Sequence, residues 1–290
     1  MTKNKFSRII SGAMSWGDWG KQLTKKEMIS LLQFCIGNNI TTFDHADIYG
    51  GYSTEMAFGN ALSDSDINRE DIQIISKCGI QHLGSGRPNK IGHYNYSKDY
   101  IVWSVEESLK QLKTDYLDAL LLHRPSPLMH PTEVMEAITK LKQEGKIKDF
   151  GVSNFTPSQV DLISSEVPIT INQIEFSITN HTAIYDGVLN QMMLKNIKPM
   201  AWSPLGNIFK KTTGQTDRIH KQLELLMPKY NATKDQLILA WILKHPAQIH
   251  PVIGTTNNTR IENANKALAI DLELQDWFFI LKASQGHNVP

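Results

Sequence analysis

What most constrains the fold of this chain is a repeating unit: a short apolar run closed by a polar residue, then a stretch with helical period, then another apolar run. Residues 40–44, 72–77, 117–123, 148–153, 169–176, 198–204 and 250–255 read as buried strands, and a weaker segment, Gly12-Ala13-Met14, precedes them. Helical stretches separate them. Thr24 and Glu27 make a capping-box pattern ahead of the stripe Met28, Leu31, Leu32, Cys35 and Ile36, and Gly37 can end that helix. Further helices are predicted over 53–62, 98–113, 132–144 and 183–195, with starts at Thr156-Pro157-Ser158-Gln159 and at Thr233-Lys234-Asp235-Gln236. Eight strands result, each but the last followed by a helix, which predicts a single α/β domain over residues 1–290: a (β/α)8 barrel with its site at the C-terminal ends of the strands. A doubly wound sheet is the competitor. It is disfavoured because no Gly-x-Gly-x-x-Gly follows an early strand and because polar residues close nearly every strand, not two or three at a switch point.

Size and charge fit that choice. A chain of 290 residues that is 41% hydrophobic can fill one large barrel. The formal charge of +1 gives no general electrostatic case for nucleic acid or an anionic membrane. No uncharged apolar run approaches the ~20 residues that span a bilayer, and Met1-Thr2-Lys3-Asn4-Lys5-Phe6 lacks a signal-peptide core, so a cytoplasmic protein is expected. Cys35 and Cys78 are too few for a disulfide framework and read as reduced thiols. Two connections are long, 79–97 (with Gly84-Ser85-Gly86) and 205–217, as lids or binding loops of barrels often are.

The chemistry is at the strand ends. Asp44, Lys77 and His123 each close an apolar run, and Tyr49 lies five residues beyond Asp44. In a barrel these strand ends converge on one face. A tyrosine with pKa of about 10 is a weak acid at neutral pH, and a lysine ammonium beside it favours the phenolate. Lys77 is therefore expected to lower the pKa of Tyr49, Asp44 to keep Lys77 charged, and His123 to hydrogen-bond the oxygen that gains the proton.

These residues carry a resemblance to the aldo-keto reductase family over essentially the whole chain. Asp44-x-Ala46-x-x-Tyr49, Gly51-Tyr52-Ser53-Thr54-Glu55, Lys77 and His123 resemble its catalytic segments. Gly151-Val152-Ser153-Asn154-Phe155, Asn172-Gln173-Ile174-Glu175 and Ala201-Trp202-Ser203-Pro204-Leu205 follow in the family's order. The resemblance implies NADPH-dependent reduction of an aldehyde or ketone to an alcohol, with Tyr49 as general acid and a dinucleotide lying across the barrel mouth. Ser153, Asn154 and Gln173 match positions that bind the carboxamide, and Trp202 the aromatic that stacks on the nicotinamide. Ser203, Pro204, Leu205, Gly206, Gly254 and Thr255 fall in the same cofactor-binding segments. Arg260 matches a position that meets the adenine and the 2′-phosphate, and Asn263 an adenine-amide contact. Gly254 stands where many members have Lys, and Ala264 replaces a more usual Asn, so NADH stays open beside NADPH.

Substrate is less constrained. Met14, Trp16 and Trp19 follow the first strand, and His82, His93, Tyr94 and Tyr96 lie in the long loop after the third, so both segments are candidate pocket walls, with Met14 and Trp16 favoured. Leu122-His123-Arg124-Pro125 and Met200-Ala201-Trp202-Ser203 resemble a bacterial subgroup of the family. The expected partner is a small carbonyl compound and the expected state a monomer, with no metal. Two other readings are open: a nucleotide-binding redox-sensing subunit with little turnover, and a barrel hydrolase with Asp44, His45, Asp47 and His123 as metal ligands. Cys78, beside Lys77, is a further candidate for a thiol of lowered pKa.

Overall fold

The computed structural model describes residues 6–83 and 87–288; Gly84, Ser85 and Gly86 of the long loop lie outside them. The chain runs β1 (Ile10–Gly12), α1 (Lys25–Gly37), β2 (Thr42–Asp44), α2 (Thr54–Ser63), β3 (Gln73–Cys78), β4 (Ile80–Gln81), β5 (His93–Tyr94), α3 (Lys98–Leu112) and β6 (Leu117–Leu122). It continues with α4 (Pro131–Gln143), β7 (Ile147–Ser153), α5 (Pro157–Ser164), β8 (Ile171–Glu175), α6 (Val188–Lys195), β9 (Lys198–Trp202), α7 (Gly214–Tyr230), α8 (Lys234–Leu243), β10 (His250–Ile253), α9 (Asn258–Lys266) and α10 (Leu274–Gln285). Strands β1, β2, β3, β6, β7, β8, β9 and β10 pair in parallel and close, β10 returning to β1. The barrel expected from the strand-helix alternation is therefore the fold. β4 and β5 form a separate antiparallel hairpin above β3.

Side chains on a strand alternate between two faces, and this period places the site. Ile10, Ile75, Ala119, Leu121, Ile171, Met200 and Val252 pack with Phe6 as one buried apolar cluster. Two residues further along, the same strands present Lys77, His123, Gln173 and Trp202. The intervening residues Ile74, Leu120, Leu122, Val152, Ile174 and Ala201 belong to the larger cluster between barrel and helices. Gly151 has no room for a side chain, since a Cβ there would fall 2.6 Å from the Ile171 carbonyl oxygen and from Leu121 Cδ2.

The helices dock as their sequences suggest. The Thr24–Glu27 box is formed, as are those at Thr156–Gln159 and Thr233–Gln236. Helices α8 and α10 are clamped by Trp241 and Trp277, whose rings stack at 4.9 Å while each indole N–H donates to the other's main-chain carbonyl, at 3.2 and 2.9 Å.

Four expectations change. β1 lies two residues earlier than Gly12-Ala13-Met14, because Ile9 and Ile10 supply the buried run. The helix expected over 183–195 is broken: Gly187 adopts φ 84, which ends a short 3-10 turn (Thr182–Ile184) and starts α6. Within the loop expected over 205–217, α7 already begins at Gly214, capped by Thr213. Finally, the last strand is also followed by helices, α9 and α10.

Candidate active site

β2 and β3 lie side by side in the barrel with Asp44 opposite Ile75, so inward-facing Asp44 and Lys77 meet one layer higher. Lys77 Nζ donates to Asp44 Oδ2 at 2.8 Å, to the His45 carbonyl at 2.8 Å and to the Tyr49 hydroxyl at 3.2 Å. That satisfies all three ammonium hydrogens. Asp44 is held in turn on its other oxygen by Gln173 Nε2, at 2.8 Å across 129 residues of sequence. Because a carboxylate only accepts, the Gln173 amide must point its nitrogen at Asp44, which leaves its carbonyl oxygen unused.

Tyr49 is buried, and its ring stands edge-on to His123 at 6.0 Å and against Trp19 at 6.3 Å. Trp19 also meets the His82 ring at 5.7 Å. The four residues singled out at the strand ends are thus one cluster.

Burial works against every charge in this cluster, and the outcome differs by residue. Burial raises the Tyr49 pKa above the ordinary phenol value; Lys77 pulls the other way but does not prevail. Lys77 does lower the Tyr49 pKa, as expected, but burial outweighs it and the net shift is upward. Burial also opposes the Lys77 ammonium, yet Asp44 and Tyr49 more than offset it and the pKa rises. His123 goes well below its usual value, first through burial and then through Lys77 and Arg124, so its ring is neutral at pH 7. Its Nδ1 is buried without a partner.

The end of β7 makes a second network. Ser153 Oγ donates to the main-chain carbonyl of Gln173 at 3.0 Å and accepts from Asn154 Nδ2 at 2.8 Å, and Asn154 Oδ1 accepts the Trp202 indole N–H at 2.9 Å. Trp202 is half-buried, with the Arg124 guanidinium 5.4 Å from its ring centre. Ser203, Pro204, Leu205 and Gly206 follow in a turn, with Ser203 and Gly206 at φ 50 and 52. Gly254 is open, with nothing within 4 Å of a Cβ placed there, and its carbonyl accepts from Ser15. Thr255 accepts the Asn257 N–H beside the start of α9. Arg260 is exposed on the first turn of α9, and Asn263 bonds weakly to Gln236 and Asp235, at 3.4 Å each.

Several candidate wall residues fall elsewhere. Trp16 is fully buried against Phe43 and Phe58 in the core, so it does not line a pocket; Trp19 holds that position. Met14 is exposed. His93 and Tyr94 are exposed on the hairpin, while Tyr96 is buried. His45 points away from Asp44 and packs edge-on to Phe58 at 4.3 Å. Cys78 is a buried thiol whose pKa goes up, through burial and then Asp47 and Glu55, which corrects the idea of an activated thiol. Among the described residues, no group of three or more His, Cys, Asp or Glu is placed to hold a metal ion, and no helix is long and apolar enough to cross a membrane. Reading the sequence missed the Gln173–Asp44 bond and any role for Arg124; the only signal for Arg124 is its place directly after His123.

Known proteins resemble this chain over nearly its whole length. The model of the aldo/keto reductase family matches residues 8–283. An uncharacterized oxidoreductase of Bacillus subtilis, YcsN, is 44% identical over 99% of this chain and 97% of its own length. A 6-dehydroglucose reductase of Agrobacterium fabrum is 36% identical, again over 99% and 97%. A crystal structure of a thermostable aldo-keto reductase in complex with the inhibitor epalrestat superimposes with TM-score 0.83 at 27% identity, covering 97% of each chain.

Proposed function

The chain belongs to the aldo/keto reductase family of oxidoreductases, and from that premise we propose that it reduces an aldehyde or ketone to an alcohol with NADPH, Tyr49 giving the proton. One observation carries the reading: a buried Lys77 ammonium bonded at once to Asp44 and to the Tyr49 hydroxyl.

The residues at the mouth fit a nicotinamide group. Gln173, its N–H committed to Asp44, keeps a carbonyl oxygen for a carboxamide N–H, and Trp202 is a planar surface locked by Asn154. Ser153 and Asn154 are the neighbouring polar groups. Arg260, exposed and without an anionic partner among the described residues, favours a 2′-phosphate and hence NADPH over NADH. Gly254, Thr255 and Asn263 lie near it in sequence. The chemistry such a cofactor supplies when bound is hydride donation to the carbonyl carbon.

The protein's own part is electrostatic and positional. With its pKa raised, Tyr49 keeps its proton at neutral pH and can hand it to an oxygen on which negative charge develops. Lys77 then stabilises the phenolate left behind, 3.2 Å away, and Asp44 and Gln173 hold Lys77 in place. A neutral His123 with hydrogen on Nε2 can donate to the same oxygen and fix the carbonyl beside Tyr49. The name of the Agrobacterium fabrum relative supports carbonyl reduction by this framework.

The test is Tyr49→Phe. Removal of one hydroxyl should cost about 10²–10⁴-fold in turnover of any carbonyl that the wild type reduces. NADPH binding, followed by quenching of tryptophan fluorescence, should persist. Turnover close to wild type would remove Tyr49 from the acid role, and no quenching by NADPH or NADH in the wild type would defeat the reductase reading itself.

A further inference from the structure

The arginines of this protein divide into two kinds. Arg8, Arg69, Arg87 and Arg218 spend their guanidinium hydrogens on protein acceptors, Arg69 on four of them, including Asp118 at 2.9 Å. Arg124 and Arg260 do not. The Arg124 guanidinium has no carboxylate and no hydrogen-bond acceptor among the described residues; it lies over the Trp202 ring. It is half-buried and follows His123, close enough that its charge bears on both Tyr49 and His123.

The backbone of Arg124 is nevertheless firmly built. Buried Tyr96 accepts the Arg124 N–H at its hydroxyl, at 3.1 Å, and donates that hydroxyl's hydrogen to the Arg124 carbonyl at 2.6 Å. Room for the Tyr96 ring depends on Gly79, where a Cβ would fall 2.0 Å from a ring carbon and where φ is +114. A glycine and a buried tyrosine thus fix the main chain of one arginine, while its charged end has no anion among the described residues. A half-buried guanidinium whose hydrogens are uncommitted is ready for an anion, and a planar five-hydrogen fork suits a carboxylate or a phosphate in two-point contact.

We propose that Arg124 is an anion anchor for the substrate: the carbonyl compounds this enzyme prefers carry a carboxylate or phosphate a few atoms from the carbonyl, and Arg124 holds that group while Tyr49 and His123 meet the carbonyl oxygen. This rests on the reductase reading above and adds the substrate class to it. The cation covers part of the Trp202 ring, so the anchored group lies beside the nicotinamide position and not in the distal region of Arg260.

The experiment compares wild type, Arg124→Met and Arg124→Lys on matched pairs: succinic semialdehyde against butanal, and glyceraldehyde 3-phosphate against glyceraldehyde. The ratio of kcat/KM, charged over neutral, should fall about 10–100-fold in Arg124→Met, mostly through KM, as expected for loss of a charge-assisted two-point contact. Arg124→Lys should recover part of it, since lysine keeps the charge but not the fork. Whichever pair loses more identifies the carboxylate or the phosphate as the anion. Equal losses for both members of each pair, or an unchanged ratio with a raised Kd for NADPH, would overturn the proposal. If the wild type reduced none of the four, quenching of its tryptophan fluorescence by NADPH would judge the reductase reading separately. The anchor would then be judged by titrating succinate and inorganic phosphate into the protein–NADPH mixture by calorimetry: binding that Arg124→Met abolishes upholds it, and binding that is equal or absent in both sinks it.

Discussion

Two regions on opposite faces of the same strands bury ionisable groups, with opposite results. Inside the barrel mouth, Lys77 and Asp44 are buried as a bonded pair of opposite charge, with Tyr49 and Gln173 completing their hydrogen bonds. Behind the wall, between β2, β3 and the helices α2 and α3, His45, Asp47, Glu55 and Cys78 are buried as well. There the neighbours repel. Burial and Glu55 raise Asp47 to about 7, and burial raises Glu55, which is held by Ser76 and Ser108. Burial and then Lys77 lower His45 to about 3, and neither of its ring nitrogens has a partner. Arg87 touches this cluster from the loop, bonded to Tyr100 at 2.9 Å, and Tyr100 bonds Asp47 at 3.3 Å. The lesson is that burial alone does not make a site: a buried charge is kept where its partner is opposite in sign and bonded, and elsewhere burial shifts the group toward its neutral form.

The largest effect that can break this comparison is expected inside the barrel. Lys77→Met leaves Asp44 buried without its cation and should destabilise the protein by about 3–5 kcal/mol in denaturant titration, with turnover lost as well. Adding Asp44→Leu should return part of the stability and none of the turnover. If Lys77→Met were no worse than an exposed lysine substitution, the pair would not be charged.

Behind the wall the effects are smaller and depend on pH. His45 has a folded pKa of about 3 against an ordinary 6.5, so between those values the unfolded chain binds the extra proton. Its contribution is fully present above about 6.5 and is lost as pH falls toward 3. His45→Leu should therefore raise stability at pH 4 by on the order of 3 kcal/mol relative to its effect at pH 8, at about 1.4 kcal/mol per pH unit. A parallel shift at both pH values would mean that His45 is charged in the fold or accessible to water.

Asp47 has the opposite sign. Its folded value is raised from 3.8 to about 7, so the folded state holds the proton across that window and stability falls as pH rises through it. Asp47→Asn mimics the protonated acid and should flatten the decline between pH 5 and pH 8, by about 2–3 kcal/mol at about 1.4 kcal/mol per pH unit up to the folded value. Melting temperatures at the two pH values measure it, and an undiminished slope would assign the decline to Glu55.

The strand ends were legible because chemistry and periodicity coincide there. An apolar run that stops at Lys77 or His123 marks both a strand and the residue that its last inward position presents. Capping boxes marked the helix starts for a similarly local reason, a side chain three residues from the amide it serves. Trp16 and Trp19 show the limit of such local signals. Three residues apart on one loop and alike in composition, they part company because the first reaches Phe43 and Phe58 beneath the loop while the second stays at the mouth against Tyr49 and His82.

From the sequence alone came the barrel, the four residues Asp44, Tyr49, Lys77 and His123, and the family they resemble, since repeating runs and short motifs are properties of neighbouring residues. Only the tertiary structure decided what surrounds them. Gln173 reaches Asp44 across 129 residues, Tyr96 grips the backbone of Arg124, and the Tyr49 hydroxyl becomes a weaker acid rather than a stronger one. Each of these depends on burial and on distances between separate strands and loops, and the energy of a charge or a hydrogen bond is set by that environment and not by residue type.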